Sequence, residues 1–149
     1  MKTALDILNE KNRAIITVSS EATVADAIRT MAEHQIGAVV VKQEGSFCGI
    51  YTERDFLRNS LEEGFDPKTA RIRDFMTCDL ISAAWDDPVY RLMDRMLGKR
   101  IRHLLVEKEG RHIGLLSIGD VIRAGLNETR EQLKSVSWDY YEDWKWKKK

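Results

Sequence analysis

Two short stretches of the chain combine a hydroxyl with a carboxylate three residues later: Thr52-x-x-Asp55 and Ser117-x-x-Asp120. A hydroxyl at a helix start, beside the free backbone amides of the first turn, suits a phosphate group. The carboxylate can accept both hydroxyls of a ribose, as an acidic residue does in dinucleotide folds. A glycine three residues ahead of each hydroxyl would let a ligand approach the backbone closely. The spacing is therefore suited to binding a phosphorylated nucleoside.

The same stretches also have a purely structural interpretation. A Thr or Ser at the N-cap and an Asp three residues later form a capping box, which stabilises a helix start by about 1 kcal/mol. Taken alone, these residues leave the two interpretations open.

The two stretches belong to an internal repeat with an offset of 65 residues. Residues 17–56 lie over 82–121 without a gap. Unrelated sequences of this length would share roughly two or three identities, so a larger number indicates two copies of one unit. The identities are eight: Val24/Val89, Met31/Met96, Ile36/Ile101, Val41/Val106, Glu44/Glu109, Gly45/Gly110, Gly49/Gly114 and Asp55/Asp120.

Each copy has the same succession of hydrophobic periods. A short β-rich run (15–18, 80–83) precedes a helix with apolar residues at spacings of three and four. Thr23-x-x-Asp26 predicts a capping box at the first such helix, and Asp87-Pro88 predicts a cap followed by proline at the second. The helical apolar residues are Val24, Ala27, Ile28 and Met31, and Val89, Leu92, Met93 and Met96.

Two strands and a second helix complete each copy. The apolar runs 36–41 and 101–106 predict buried strands. A Glu-Gly turn with a positive glycine φ leads to a further strand at 47–51 or 112–116. The sequence thus predicts an α/β (α+β) fold of two β-α-β-β-α repeats, paired about a pseudo-twofold axis to cover their small sheets.

The repeat sets the expected domain organisation. Residues 1–63 form repeat 1 with an N-terminal segment, 64–79 a linker, 80–134 repeat 2 and 135–149 an aromatic and basic tail. Residues 73–76 echo residues 5–8, but three positions out of the 65-residue register. This shift indicates that the linker changed its length while the repeats kept theirs.

Composition excludes several classes of protein. Basic and acidic residues balance at 24 each, so the 149-residue chain has no overall field for nucleic acid or an acidic membrane. The sequence contains neither a signal peptide nor a membrane span, which makes the cytoplasm the expected location. Cys48 and Cys78 stand apart without metal-ligand spacing, so we expect two buried thiols in a reducing compartment and no metal site.

The doubled motif resembles that of a tandem CBS-domain protein of the standalone type. The resemblance rests on both hydroxyl–carboxylate stretches, on Ile-Gly-Ala-Val-Val-Val at 36–41, on Ile-Arg-His-Leu-Leu-Val at 101–106 and on Ser-Ile-Gly-Asp-Val-Ile at 117–122. It covers roughly residues 4 to 130. CBS pairs bind adenosine-containing ligands in their clefts, so the resemblance implies an adenine nucleotide, with AMP expected first and ADP, ATP or NAD as alternatives.

The resemblance also implies roles for individual residues. Asp55 and Asp120 would hold the ribose, while Thr52 and Ser117 would meet the phosphate. The other implied site residues lie at strand starts: Ile16 and Ile81, whose backbone would meet the adenine edge, Thr17 and Ser82 beside them, and Gly37, Ala38, Arg102 and His103 on the middle strands.

Basic residues distinguish the two copies. Arg102 and His103 stand where repeat 1 has Gly and Ala, and Arg54 stands where repeat 2 has Gly119. These groups could bind the phosphates. Alternatively, Arg54 is a solvated charge at a helix start, and His103 is a structural histidine beside an apolar strand.

The tail and the helices predict association. Five of the eight Trp and Tyr residues lie in the last twelve positions, and Trp138 and Tyr141 could either continue the final helix onto the chain's own surface or form an interface. We expect a homodimer, because the helices carry more apolar residues than one chain can readily cover: Ala27, Met31, Leu57, Met93, Met96 and Val121.

Together these features favour a non-catalytic sensor of adenine nucleotides that acts on a separate, unidentified protein. A structural dimerisation module with degenerate sites is one alternative, which the presence of Asp in both copies disfavours. A nucleotide-processing enzyme is another, and the sequence offers no nucleophile with a base, no metal cluster and no P-loop for it.

Overall fold

The computed structural model describes the backbone of residues 1–147 and the side chains of residues 1–135. Its elements, in chain order, are α1 (Ala4–Lys11), β1 (Thr17–Ser19), α2 (Val24–His34), β2 (Ala38–Gln43), β3 (Ser46–Thr52), α3 (Glu53–Asn59), α4 (Ile72–Phe75), β4 (Ser82–Ala84), α5 (Val89–Lys99), β5 (His103–Lys108), β6 (Arg111–Ser117) and α6 (Ile118–Lys147). The pattern β-α-β-β-α occurs twice, which confirms the expected fold class.

Contacts divide the chain into two compact units. Unit 1 consists of Met1–Arg13 and Ser82–Lys149, and unit 2 consists of Ala14–Ile81. The N-terminal segment, which precedes the first repeat in sequence, therefore packs in space with the second. In the same way α4, from the expected linker, packs with the first repeat against α2 and β3.

Each unit contains one three-stranded sheet, in the orders β1-β2-β3 and β4-β5-β6. The middle strand runs parallel to the first strand and antiparallel to the third. Both sheets carry a register shift at the same point of the middle strand, between Val41 and Lys42 and between Val106 and Glu107. The duplication therefore extends to the irregularities of the backbone.

The two hairpin turns are tighter than the glycines alone predict. Gly45 and Gly110 have φ values of 81° and 73°, as expected, but the preceding Glu44 and Glu109 also lie in the left-handed region at 49° and 51°. Two consecutive positive φ values are typical of the turn that matches the twist of a two-residue hairpin.

The middle strands begin two residues later than predicted because the preceding isoleucines belong to helix ends. Gln35 and Arg100 adopt left-handed φ values of 53° after α2 and α5. The amides of Ile36 and Ile101 then donate back to the carbonyls of Met31 and Met96, each at 3.0 Å. This is the pattern of a left-handed helix stop, in which an apolar residue follows the cap.

One of the two predicted helix starts is correct. Thr23 and Asp26 form the reciprocal capping box at α2. The cap predicted at Asp87 is wrong: the N-cap of α5 is Pro88, without a side-chain hydrogen bond. The Asp87 carboxylate instead accepts from the Ala84 amide at 3.0 Å and pairs with Arg91 at 3.1 Å. The carboxylate therefore binds these partners and not the free amides of the first turn of α5.

Each unit has an apolar core between its sheet and its helices. In unit 2 the core consists of Val18, Val24, Ala27, Met31, Val39, Val41, Tyr51 and Ile72. In unit 1 the buried apolar residues include Ala4, Ile7, Val89, Leu92, Met96, Leu104, Val106, Leu116 and Val121. Cys48 is partly buried, whereas Cys78 is exposed, so the prediction of two buried thiols is wrong for Cys78.

The burial of these side chains corrects the reasoning behind the expected dimer. Four of the six residues cited for it are at most 4% exposed in the chain: Ala27, Met31, Met96 and Val121. They cannot contribute to an outer surface. Of the six, Leu57 is 66% exposed, and further exposed apolar side chains include Leu61, Leu97 and Leu126.

The final helix extends into the aromatic tail. Its backbone is helical as far as Lys147, as in the alternative in which Trp138 and Tyr141 continue the final helix. The side chains of residues 136–149 lie outside the described residues, so their packing stays a prediction. Over the described part of the chain, every helix falls short of the length and apolar character that a membrane crossing requires.

Candidate functional site

The predicted site residues of unit 2 come together at one edge of its sheet. β1 and β2 both begin there and β3 ends there, because β2 is parallel to β1 and antiparallel to β3. Ala38 pairs directly with Thr52, and the Ile16 carbonyl accepts from the Val40 amide at 3.2 Å. The amide of Glu53, the first residue of α3, donates to the Gly37 carbonyl at 3.0 Å.

The capping-box interpretation is correct for Thr52 and Asp55. The Asp55 amide donates to Thr52 Oγ1 at 3.2 Å, and the Thr52 amide and hydroxyl each donate to Asp55 Oδ2 at 3.0 Å. All the hydrogen bonds that Asp55 accepts from described residues end on Oδ2. Capping therefore leaves Oδ1 available, and the structural and binding interpretations are compatible.

Unit 1 repeats this arrangement with serine in place of threonine. The Ser117 amide and hydroxyl donate to Asp120 Oδ2 at 2.8 and 2.9 Å, and the Asp120 amide donates to Ser117 Oγ at 3.2 Å. Ser117 pairs with His103 across the β5–β6 ladder. The Ile118 amide donates to the Arg102 carbonyl at 2.8 Å, as its counterpart does in unit 2.

Unit 1 also contains a site residue that the sequence analysis missed. Lys11, the last residue of α1, places its ammonium 2.7 Å from Asp120 Oδ2 and 3.0 Å from the Leu115 carbonyl oxygen. The Lys11 and Asp120 side chains are 24% and 13% exposed, so the ion pair is largely shielded from water. The only sequence signal for this role of Lys11 is the similarity between residues 5–8 and 73–76, which indicates that the N-terminal segment is part of the fold.

The ion pair helps to keep Asp120 ionised. Burial is the largest single influence and raises the pKa of this carboxyl, but hydrogen bonds from Lys11 and from the backbone and hydroxyl of Ser117 outweigh it. The pKa of Asp120 therefore lies below its ordinary value. A carboxylate that stays ionised can accept hydroxyl donors over the physiological pH range.

His103 is held neutral in the same cluster. Burial lowers its pKa from 6.5 to about 4, and the positive charges of Lys11 and Arg102 act in the same direction, against the opposing effect of Asp120. At neutral pH the imidazole can offer one donor and one acceptor, but no charge. The anion-binding interpretation of His103 therefore has to rest on hydrogen bonding.

The remaining predicted residues are placed in several ways. Arg54 and Arg102 are exposed and form no ion pair with any residue that the structure describes. Thr17 is exposed, and Ile16 and Ile81 are half-buried. Ala38 is 2% exposed, so a ligand could reach only its backbone. Ser82 Oγ lies 3.1 Å from His112 Nε2 and is thus engaged within the unit.

Gly49 and Gly114, which were expected to let a ligand approach the backbone, instead lie against side chains of their own units. A Cβ built on Gly49 would lie 2.7 Å from Met76 Cγ, and one built on Gly114 would lie 3.0 Å from Leu8 Cγ. These contacts are too close for most side chains. The expectation about ligand approach is therefore wrong here, because α1 and the residue after α4 fill the space above the third strand in each unit.

A cavity of about 330 Å³ lies between α2 and α3 of unit 2 and reaches this sheet edge at Gly37 and Glu53. It is lined mostly by apolar side chains and includes neither Thr52 nor Asp55. Of the predicted site residues, only Gly37 lines it. Among the described residues, no three His, Cys, Asp or Glu side chains are grouped so as to hold a metal ion.

The duplicated fold and its paired hydroxyl–carboxylate helix starts define a class of tandem α/β modules. A model of the CBS domain matches residues 4–62 and 72–127. The chain belongs to the CBS-domain family, and the recognition made from its motifs is confirmed.

Known proteins resemble the chain over most of its length. A mitochondrial CBS domain-containing protein of Arabidopsis thaliana, CBSX3, is 36% identical over 91% of this chain and 70% of its own. The structure of a putative signal-transduction protein with CBS domains from Burkholderia ambifaria is 34% identical, with a TM-score of 0.80 over 85% of this chain and 95% of that one. A CBS domain protein from Pyrobaculum aerophilum, solved in complex with AMP, is 23% identical, with a TM-score of 0.70 over 80% of this chain and 89% of that one.

Proposed function

We propose that this chain is a non-catalytic sensor that binds an adenosine-containing ligand, with AMP as the first candidate and ADP, ATP or NAD as alternatives. One observation carries the proposal. In both units the capping carboxylate uses only Oδ2 for its helix, so Oδ1 of Asp55 and of Asp120 receives no hydrogen bond from a described residue and can accept one from a ribose hydroxyl. A hydroxyl and a helix start stand beside each carboxylate, in the arrangement that suits a phosphate.

The choice of adenosine follows from family membership. The CBS fold is shared with a protein that was solved with AMP, although at that identity the likeness extends only to the fold. The open carboxylate oxygens supply the ribose contact that such a ligand needs. The choice among the adenine nucleotides, and the regulatory consequence of binding, are parts of the proposal.

The enzyme alternative has less support. Asp55 and Asp120 are committed to helix starts through Oδ2, and His103 lies beside two cations that lower its pKa. A general base near neutral pH needs a pKa close to the operating pH. We therefore assign binding roles to these residues, and turnover of any adenine nucleotide would revive the enzyme alternative.

We expect adenine nucleotides to raise the melting temperature of the purified protein. A ligand that binds only the folded state stabilises it by about 2.7 kcal/mol at a hundredfold excess over its dissociation constant. Asp55→Asn and Asp120→Asn should each remove a different part of this effect, since each lies in its own unit. The measurement is a thermal melt with AMP, ATP and NAD, after mass spectrometry has shown that no ligand copurifies.

Asp26→Asn is the matched control, because Asp26 forms the same capping box with Thr23 at α2. We expect it to leave the ligand effect intact. The absence of a shift with every adenine ligand at millimolar concentration would refute the proposed function. If all three variants lose the same stability without ligand, and none specifically loses binding, then Asp55 and Asp120 only cap their helices.

We further propose that the protein is a cytoplasmic homodimer that acts on a separate protein target. Support for the dimer comes from exposed leucines on the helices of both units: Leu57 is 66% exposed, Leu97 is 68% and Leu126 is 58%. We expect sedimentation equilibrium of the full chain to give twice the monomer mass, and Leu97→Glu to lower that mass. A monomer at the same concentration without the substitution would contradict the dimer.

A further inference from the structure

In unit 1 the carboxylate that the proposed function assigns to the ribose already holds a cation. Asp120 Oδ2 receives three donors: the Ser117 amide, the Ser117 hydroxyl and the Lys11 ammonium. In unit 2, the equivalent Oδ2 of Asp55 receives only the two capping donors from described residues. The two sites therefore differ before a ligand binds, because among the described residues only the unit 1 carboxylate contacts a cation.

The ammonium competes with a ribose for the same carboxylate. A carboxylate oxygen has about two lone-pair sites, so the two capping donors already fill Oδ2 in both units, and Lys11 is a third donor on Asp120 Oδ2. A ribose hydroxyl that binds Asp120 Oδ1 therefore has to share the charge of the carboxylate with the ammonium. The capping donors belong to the helix start, whereas Lys11 ends a flexible side chain. Lys11 is therefore the donor that a ribose displaces.

Displacement leaves a charge that the ligand itself can satisfy. Away from Asp120, the Lys11 ammonium would keep the Leu115 carbonyl as a partner but lose the only carboxylate that it contacts among the described residues. A charge-assisted hydrogen bond to a phosphate would replace that loss. The Lys11 ammonium and Ser117 Oγ both touch Asp120 Oδ2, so a phosphate bound at Ser117 Oγ lies within reach of Lys11.

We propose that Lys11 is a specificity-determining residue of the unit 1 site and makes it select phosphate-bearing nucleosides over neutral ones. The proposal rests on the proposed function. A neutral nucleoside would displace the ammonium without offering it a new partner. A nucleotide would exchange the carboxylate for a phosphate, so the unit 1 site favours AMP over adenosine.

The test compares AMP with adenosine by calorimetry on the full chain, with Asp55→Asn present throughout so that unit 2 does not contribute. We expect AMP to bind at least about tenfold tighter than adenosine, which corresponds to about one charge-assisted hydrogen bond. Lys11→Met, which keeps the aliphatic stem, should reduce this ratio about tenfold by weakening AMP and strengthening adenosine. Lys11→Arg retains the cation and should retain the preference.

Lys2→Met is the matched control, because it removes another lysine–carboxylate pair of unit 1, that with Glu10, without contacting Asp120. It should leave the ratio unchanged. An unchanged ratio in Lys11→Met, or an equal change for both ligands, would overturn the specificity role while the proposed function stands. If neither ligand binds the protein with Lys11 and Asp120 intact, and AMP does not stabilise the wild type, both proposals fail together.

Discussion

Acidification from pH 7 to pH 4 is expected to destabilise the protein by about 2 to 3 kcal/mol through His103 alone. Its pKa is about 4 in the folded protein and 6.5 ordinarily. Between pH 6.5 and pH 4, His103 binds a proton in the unfolded chain but not in the folded protein. The contribution of His103 to the free energy of unfolding is therefore fully present above pH 6.5 and is lost as the pH falls towards 4. Each pKa unit is worth about 1.4 kcal/mol, and partial access of water to the ring reduces the total somewhat.

Urea unfolding at several pH values, followed by circular dichroism, measures this effect. His103→Gln cannot titrate and should flatten the dependence between pH 6.5 and pH 4. His34→Gln, on an exposed part of α2, controls for the loss of a histidine as such. Asp6, Asp26 and Asp120 have pKa values below 3.8, so they act in a more acidic range. A His103→Gln protein with the wild-type pH dependence would show that the imidazole is not held neutral.

Gly114→Ala is expected to lower the free energy of unfolding by about 2 kcal/mol. The added Cβ would lie 3.0 Å from Leu8 Cγ, and closer still to the ends of that side chain. Overpacking of this kind forces side chains off their rotamers or shifts the backbone. The loss should be partly recovered in the double variant Leu8→Ala/Gly114→Ala, because the shortened side chain leaves room for the methyl group.

Gly98→Ala is expected to raise the free energy of unfolding, in contrast to the same substitution at Gly114. Gly98 lies within α5, and apart from its chain neighbours and the backbone of its own helix no described atom stands within 4 Å of its Cβ position. Alanine should therefore stabilise the helix by about 0.5 to 1 kcal/mol. Denaturant unfolding of the three variants checks the series, and similar changes at Gly98 and Gly114 would show that α1 does not press on β6.

The features that the sequence predicted well depend on residues close to one another along the chain. The capping boxes at Thr23 and Thr52 need only a hydroxyl and a carboxylate three residues apart, and the hairpin turn at Gly45 needs only a positive φ. Local chemistry of this kind is largely independent of the rest of the fold. Because the second repeat keeps the register of the first, the same kinds of prediction apply to it.

The errors arose where other residues, near or far along the chain, compete for the same group. Asp87 has the sequence of a cap, but the Ala84 amide and Arg91 take its carboxylate. Lys11 and Asp120 meet across 109 positions of the chain, and no periodicity connects them. The pairing requires that α1 pack against the second repeat, which the order of the repeats in the sequence does not suggest.

The packing of α1 also affects the order in which the chain can fold during synthesis. Unit 2 is one continuous stretch, Ala14–Ile81, whereas unit 1 needs Met1–Arg13 together with residues from Ser82 onward. Domains generally form as their last residue leaves the ribosome. α1 is therefore made before unit 2 but must wait, with Ala4 and Ile7 still uncovered, while unit 2 folds behind it. A helix that is translated ahead of unit 2 thus reaches its place after it.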